Sequence, residues 1–213
     1  NMGCMNTGGK ARAGIFFSPG GRIKGNDNGS FGGSCVTTIF LCGKRGGGAF
    51  AKTVTNAAVR YGGAQICGGG RLRGSAEPAF LIYECESPPE ISIPKGILVF
   101  KDSFSSGLPS RVPGGFLAVF SEGNTAAARA LEGTGISAVT CGTAARDTVS
   151  AASLGFPQSV VSLQRSIRTL SGTVLEPHDI PVTLREPYPP EPLLAASAVL
   201  LIAGVPSSTG YEF

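Results

Sequence analysis

Hydrophobic positions along the chain fall into short continuous runs separated by breaks rich in glycine and proline. Residues 36–41 (VTTIFL), 79–85 (AFLIYEC), 96–100 (GILVF), 115–120 (GFLAVF) and 137–141 (SAVTC) show little alternation. Continuous apolar runs of this length fit strands buried on both faces. Residues 49–60 are rich in alanine and free of Gly and Pro, which predicts a helix stopped by Gly62-Gly63. Residues 124–131 (NTAAARAL) predict a second helix ended by Gly133, and residues 64–67 a short strand before the next glycine turn. At the N-terminal end, residues 13–18 (AGIFFS) read as a strand and residues 22–33 as a turn-rich loop or hairpin.

The pattern changes after residue 147. Residues 148–152, 159–164 and 181–184 are shorter and more alternating, and residues 170–173 (LSGT) look like a hairpin turn, so a small antiparallel extension is expected there. Residues 192–203 (PLLAASAVLLIA) predict a helix with an early proline and a stop at Gly204. It is apolar nearly all round, so burial on more than one side is expected. Apolar strands alternating with short helices imply a mainly parallel sheet covered on both faces. The expected organisation is a flexible leader at 1–12, one α/β domain at 13–206 and a tail at 207–213.

The stretch that points to chemistry is residues 36–58. An apolar strand breaks into Gly43-Lys44-Arg45-Gly46-Gly47-Gly48 and resumes as a helix. Strand, glycine loop, helix is the layout of a phosphate-binding unit, because the loop and the helix N-terminus present backbone N–H groups to an anion. The fold class expected is therefore α/β, a three-layer, mostly parallel, P-loop-NTPase-like sheet with helices on both faces and a small antiparallel β extension near the C-terminus. The candidate nucleotide or phosphate site is Gly43, Lys44, Arg45, Gly46, Gly47 and Gly48, with Lys52 as a further cation. A working loop of this kind ends in a lysine that neutralises phosphate and a hydroxyl residue that holds Mg²⁺. Those positions here are Gly47 and Gly48. The same loop also satisfies G-x-G-x-x-[GA] at Gly46, Gly48 and Ala51, which supports a dinucleotide-binding alternative. Against that alternative, residues 66–70 (ICGGG) lack the acidic residue that would hold a ribose. A near-match to a phosphate loop at residues 3–10 has a spoiled spacing and no hydroxyl after Lys10.

Composition narrows the partners. The chain of 213 residues is 42% hydrophobic and 15% charged, so a large core is expected and disorder is not. A net charge of +4 from scattered Lys and Arg does not indicate nucleic-acid binding. Six cysteines without a CxxC pair read as reduced thiols, with Cys42, Cys85 and Cys141 as small buried hydrophobes at the ends of apolar runs. The longest apolar run, residues 193–203, is far short of the roughly 20 residues of a membrane span, and the first dozen residues are polar. A soluble, cytoplasmic protein is expected.

Taken together, these pieces resemble the central, ATP-binding domain of the Mur ligases and their relatives the folylpolyglutamate synthetases, over most of residues 36–205. Residues 41–49 (LCGKRGGGA) occupy the place of the family's G-T-x-G-K-T-T. Residues 82–87 (IYECES) look like its strand ending in E-x-S-S. Residues 114–120 (GGFLAVF), a helix and residues 138–142 (AVTCG) are similar to its G-x-x-V-x-N-x-D … T-F-G segment. Leu193-Leu194-Ala195-Ala196 and Gly204-Val205 look like its closing N-x-x-A-A helix, with Pro192 where the family has Asn.

The resemblance implies ATP or ADP with Mg²⁺ as cofactor and carboxylate–amine ligation as chemistry. It also places Glu84 near the metal. The departures argue against that activity: the loop lysine and hydroxyl are absent, residues 101–104 (KDSF) lack the family's D-H histidine, and Pro192 cannot hydrogen-bond adenine. The chain also lacks room for the family's substrate-binding and amine-delivering domains. The expectation is a Mur-ligase-like protein with a degenerate loop and no catalytic residue, binding a nucleotide or anion weakly or acting as an interaction module, as a homo-oligomer or with a protein partner. An active ATP-dependent ligase with an atypical loop is the alternative. Elsewhere, His178 beside Asp179 reads as an exposed structural residue, Cys141 as a packed thiol, and Glu84, Glu86 and Glu90 with Asp102 as solvated carboxylates or a metal cluster. Arg165 and Arg168 form either an anion patch or ordinary surface.

Overall fold

The computed structural model describes residues 36–46, 48–68 and 71–213. The leader at 1–12, the near-motif at 3–10, the strand at 13–18, the loop at 22–33 and Gly47 lie outside the described residues.

In chain order the elements are β1 (Thr37–Cys42), α1 (Ala49–Arg60), β2 (Ala64–Gly68), β3 (Arg71–Gly74), β4 (Phe80–Cys85), β5 (Lys95–Phe100), β6 (Gly115–Ser121), α2 (Thr125–Leu131) and β7 (Ser137–Gly142). They continue as β8 (Val149–Ser153), β9 (Gln158–Leu163), β10 (Ile167–Arg168), β11 (Val174–Leu175), β12 (His178–Thr183), α3 (Pro190–Ala203) and β13 (Tyr211–Glu212). Eleven of these strands form one sheet in the order β13-β12-β9-β8-β7-β6-β5-β1-β4-β2-β3, and β10 pairs only with β11. From β2 across β4, β1, β5, β6 and β7 to β8, every pairing is parallel. β9 then runs antiparallel to both β8 and β12, so the expected antiparallel extension is a continuation of the main sheet.

β1 lies inside the sheet between β4 and β5, which explains its unbroken apolar run. Ile39 and Leu41 face the side covered by α1 and α3, together with Ile97 and Val99 of β5 and Val119 of β6. Phe40 and Cys42 face the other side with Leu98, Phe100, Phe116, Ala118 and Phe120, under Ala127 and Leu131 of α2 and Phe104 of the loop after β5. The α/β architecture with helices on both faces is thus as the pattern predicted.

α1 packs Ala51, Val54, Ala57 and Ala58 inward, a spacing that places them on one helical face. α3 buries every residue from Pro192 to Ile202. One side lies on β5 through β8 and another against α1. The β10–β11 hairpin adds a further contact: Leu170 and Leu175 pack into the same core, and the Leu170 amide donates to Ile202 O at 2.8 Å. Gly204 ends the helix at φ +83°, a left-handed conformation that a residue with a Cβ adopts at a cost.

Residues 207–213, expected as a tail, carry β13. It pairs in parallel with β12 and buries Tyr211 and Phe213 in the main core. β3 was not foreseen: all of Arg71, Leu72, Arg73 and Gly74 are exposed at the sheet edge, where no buried face imposes a hydrophobic pattern.

Candidate functional site

The C-terminal ends of β1, β4 and β5 meet where an open parallel sheet places its ligand crevice. Leu41 is in register with Glu84 on one side, and Cys42 with Phe100 on the other. Residues facing the same side of a parallel sheet share register. Glu84 and Lys101, the residue after β5, therefore point to the α1/α3 side with the glycine loop between them.

Lys101 closes that space. Its side chain is 8% exposed, and its ammonium sits 2.5 Å from Glu84 Oε1, itself 21% exposed. The same ammonium donates to Lys44 O at 3.1 Å. Ser103 completes the tether by accepting the Lys44 amide at 3.0 Å. Gly43 has no room for a side chain here. A Cβ would stand 2.8 Å from Ser103 Oγ and 3.0 Å from Lys101 Cβ, and its φ of +134° suits glycine.

Two further loop amides have acceptors within the protein. The Gly43 N–H donates to Cys85 O at 2.9 Å and the Gly48 N–H to Gly46 O at 2.8 Å. Gly48 caps α1 without any side-chain hydrogen bond. Lys44 and Arg45 are exposed. Lys52, expected as a replacement cation, is drawn instead to Glu186 across a 3.0 Å salt bridge on the surface.

Lys101 and Ser103 were not singled out by the sequence pattern. The available signal was a lysine directly after a buried strand, level with a glutamate two strands away. Such a lysine needs a counter-charge, because an unpaired buried ammonium is costly.

The remaining candidates separate. Among the described residues no group of three or more His, Cys, Asp or Glu could hold a metal ion. Asp102 lies away from Glu84, in a cavity of about 290 Å³ also lined by Ser121, Asn124 and Glu191. A hydrogen bond with Asp102, then partial burial and the Asp102 charge, push the Glu191 carboxyl above its ordinary value. A raised carboxyl pKa means the folded state holds the proton more tightly, so this contribution is present in acid and is lost as pH rises through the folded value. Glu191→Gln is therefore expected to stabilise the protein near pH 7 and to lose that advantage below pH ~4. Urea unfolding at the two pH values checks it.

His178 Nδ1 donates to Glu176 O and its Nε2 pairs with Ser207 Oγ, each at 2.7 Å, while Asp179 turns the other way and accepts from Ser162. His178 is half-buried at the start of β12, not exposed as expected. Cys141 is fully buried, and burial followed by the neighbouring Asp147 charge pushes its thiol up. Arg168 donates to Gly172 O within the β10–β11 turn.

The strand order speaks against a dinucleotide fold. Such folds place β2 beside β1, whereas β4 separates them here.

No family model matches the sequence, and no curated protein matches it. A solved UDP-N-acetylmuramoyl-L-alanyl-D-glutamate–2,6-diaminopimelate ligase is similar in structure, with a TM-score of 0.51 and 9% sequence identity over 82% of this chain. The fold is Mur-ligase-like. The match takes in 45% of that ligase, so this chain spans less than half of its length. At 9% identity the likeness is one of fold, and the Mur-ligase-like sheet does not by itself carry the ligase's activity.

Proposed function

We propose that this chain is a catalytically inactive Mur-ligase-like module whose phosphate loop has become a structural joint. The observation that carries the reading is the Lys101 ammonium bonded to both Glu84 and Lys44 O. In the ligase chemistry implied by the resemblance, the carboxylate at Glu84 would serve Mg²⁺ and the loop would embrace a triphosphate. Here the carboxylate already has a counter-ion carried by the same chain, which does not diffuse away. A metal would have to displace a nearly buried ammonium held by two acceptors, a pair that interacts more strongly than one at the surface. Gly47 and Gly48 offer neither the cation nor the hydroxyl that phosphoryl transfer uses.

Anion binding at the loop is then weak, resting on Lys44, Arg45 and the N-terminal dipole of α1. On this reading the module works through protein contacts, with another copy or a second protein.

The test combines turnover with binding. Purified protein with Mg-ATP is expected to release phosphate no faster than a Glu84→Gln control. Thermal melts with Mg-ATP, ADP, NAD and phosphate at millimolar concentration are expected to be unshifted or nearly so. Saturation at 100 times Kd would instead stabilise the fold by about 2.7 kcal/mol. Turnover well above the control would end the proposal.

A further inference from the structure

We propose that Cys42 and Cys85 are a peroxide-responsive dithiol that closes to a reversible disulfide beneath the glycine loop. The inference is independent of whether the loop binds a nucleotide.

The two residues are in-register partners on the adjacent parallel strands β1 and β4. Both are buried on the α2 side of the sheet, and their sulfurs lie 3.9 Å apart. Adjacent strands run about 4.7–4.9 Å apart, inside the Cα separation of about 4.4–6.8 Å that disulfides span. The sulfurs must approach to about 2.05 Å, and rotation of two short side chains supplies that movement. Two sulfurs at this distance make the pair unlike Cys141, which shares its buried site with the Asp147 carboxylate.

The surroundings select the oxidant. Phe40, Phe100, Phe104 and Phe116 pack in the same cluster, and neither cysteine is more than 2% exposed. A charged, bulky disulfide is excluded by that wall, whereas hydrogen peroxide is small and neutral. The chemistry balances with peroxide alone. The Cys85 sulfur attacks one peroxide oxygen, the O–O bond breaks, and the departing hydroxide takes the thiol proton as water. The Cys42 sulfur then attacks the Cys85 sulfenic acid; the S–S bond forms, the S–O bond breaks, and the second hydroxide leaves with the Cys42 proton as water. Two electrons pass from the sulfurs to one peroxide.

The order of attack has support in the local charges. A hydrogen bond with Cys42 lowers the Cys85 thiol, as do Arg45 and Lys101, against burial and the Glu84 charge. The same hydrogen bond and burial raise Cys42, which leaves Cys85 as the first sulfur to attack. The cross-link would act where the loop is anchored. Cys85 O receives the Gly43 amide and Cys42 O the Lys101 amide, each at 2.9 Å. Bonding the two strand ends fixes the base from which residues 43–48 and the Lys101 tether spring.

The experiment is peptide mapping of the full chain, reduced and then exposed to hydrogen peroxide under native conditions, with the peroxide removed and free thiols alkylated as the chain is denatured. The expected result is a peptide pair joining Cys42 to Cys85, about 2 Da lighter than the two free peptides together and separated again by dithiothreitol. Cys42→Ala and Cys85→Ala should each abolish that pair. The wild-type map stands alone if a variant does not fold. Recovery of Cys42 and Cys85 as free thiols, as separate sulfinic acids, or joined to other cysteines would overturn the proposal.

Discussion

Leu200→Ala is expected to cost about 3–5 kcal/mol, among the largest losses available to a single apolar truncation in this chain. Leu200 is fully buried in α3, and every residue from Pro192 to Ile202 is buried with it. A helix enclosed by the sheet, α1 and the hairpin cannot rotate to refill the space, so the cavity term adds to the lost transfer energy. For a domain of this size each kcal/mol lowers Tm by about 2–4 °C, so a fall of roughly 6–20 °C is expected. Calorimetry and urea unfolding measure it. A loss below about 1 kcal/mol, the range of a surface change, would mean that the far side of α3 is open to water.

The second large effect concerns the tether at the glycine loop. Glu84→Gln leaves the Lys101 ammonium nearly enclosed and without its counter-charge, and breaking a buried pair in this way costs about 3–5 kcal/mol. The 21% exposure of Glu84 gives water some access, so the lower end is expected. Lys101→Met costs less, because the carboxylate left behind is the more exposed partner. The double variant Lys101→Met/Glu84→Gln should recover much of the loss, with a coupling energy of about 1–3 kcal/mol in the cycle. Near-additive losses would show that the two groups do not act as a pair and would remove the main support for an inactive site. A second readout separates the tether from general stability. Proteolysis within residues 43–48 is expected to accelerate in Glu84→Gln under conditions where the rest of the chain stays folded, since Lys101 also holds Lys44 O.

Much of the scaffold was legible because it rests on local chemistry. The interior position of β1 follows from a run of apolar residues that has to be covered on both faces. The reach of α3 follows from twelve residues with no polar stripe. The turn at 170–173 and the stop at Gly204 follow from residues whose backbone preferences are intrinsic. The glycine loop was equally visible, and so was the absence of a lysine and hydroxyl at its end.

What the pattern did not show was which side chains hold the loop. Lys52 lies one helical turn past Gly48 and so looked like a substitute cation, yet its ammonium goes to Glu186, 134 positions away. Lys101 carried no motif, and it became the central charge of the site because β5 lies beside β1 in the sheet. β13 was hidden for a similar reason: Tyr211 and Phe213 form too short a run to read as a strand, and only the groove beside β12 buries them.

The chain by itself therefore determined the layers: most of the strands and all three helices, which faces are apolar, and that a glycine turn joins β1 to α1. These follow from periodicity and backbone preference, which act over a few neighbouring residues. Tertiary structure alone decided that Glu84 meets Lys101, that Cys42 meets Cys85, and that Lys52 turns away. Strand order and register are set by how whole elements pack, and charges or sulfurs distant in sequence become neighbours only once the sheet has closed.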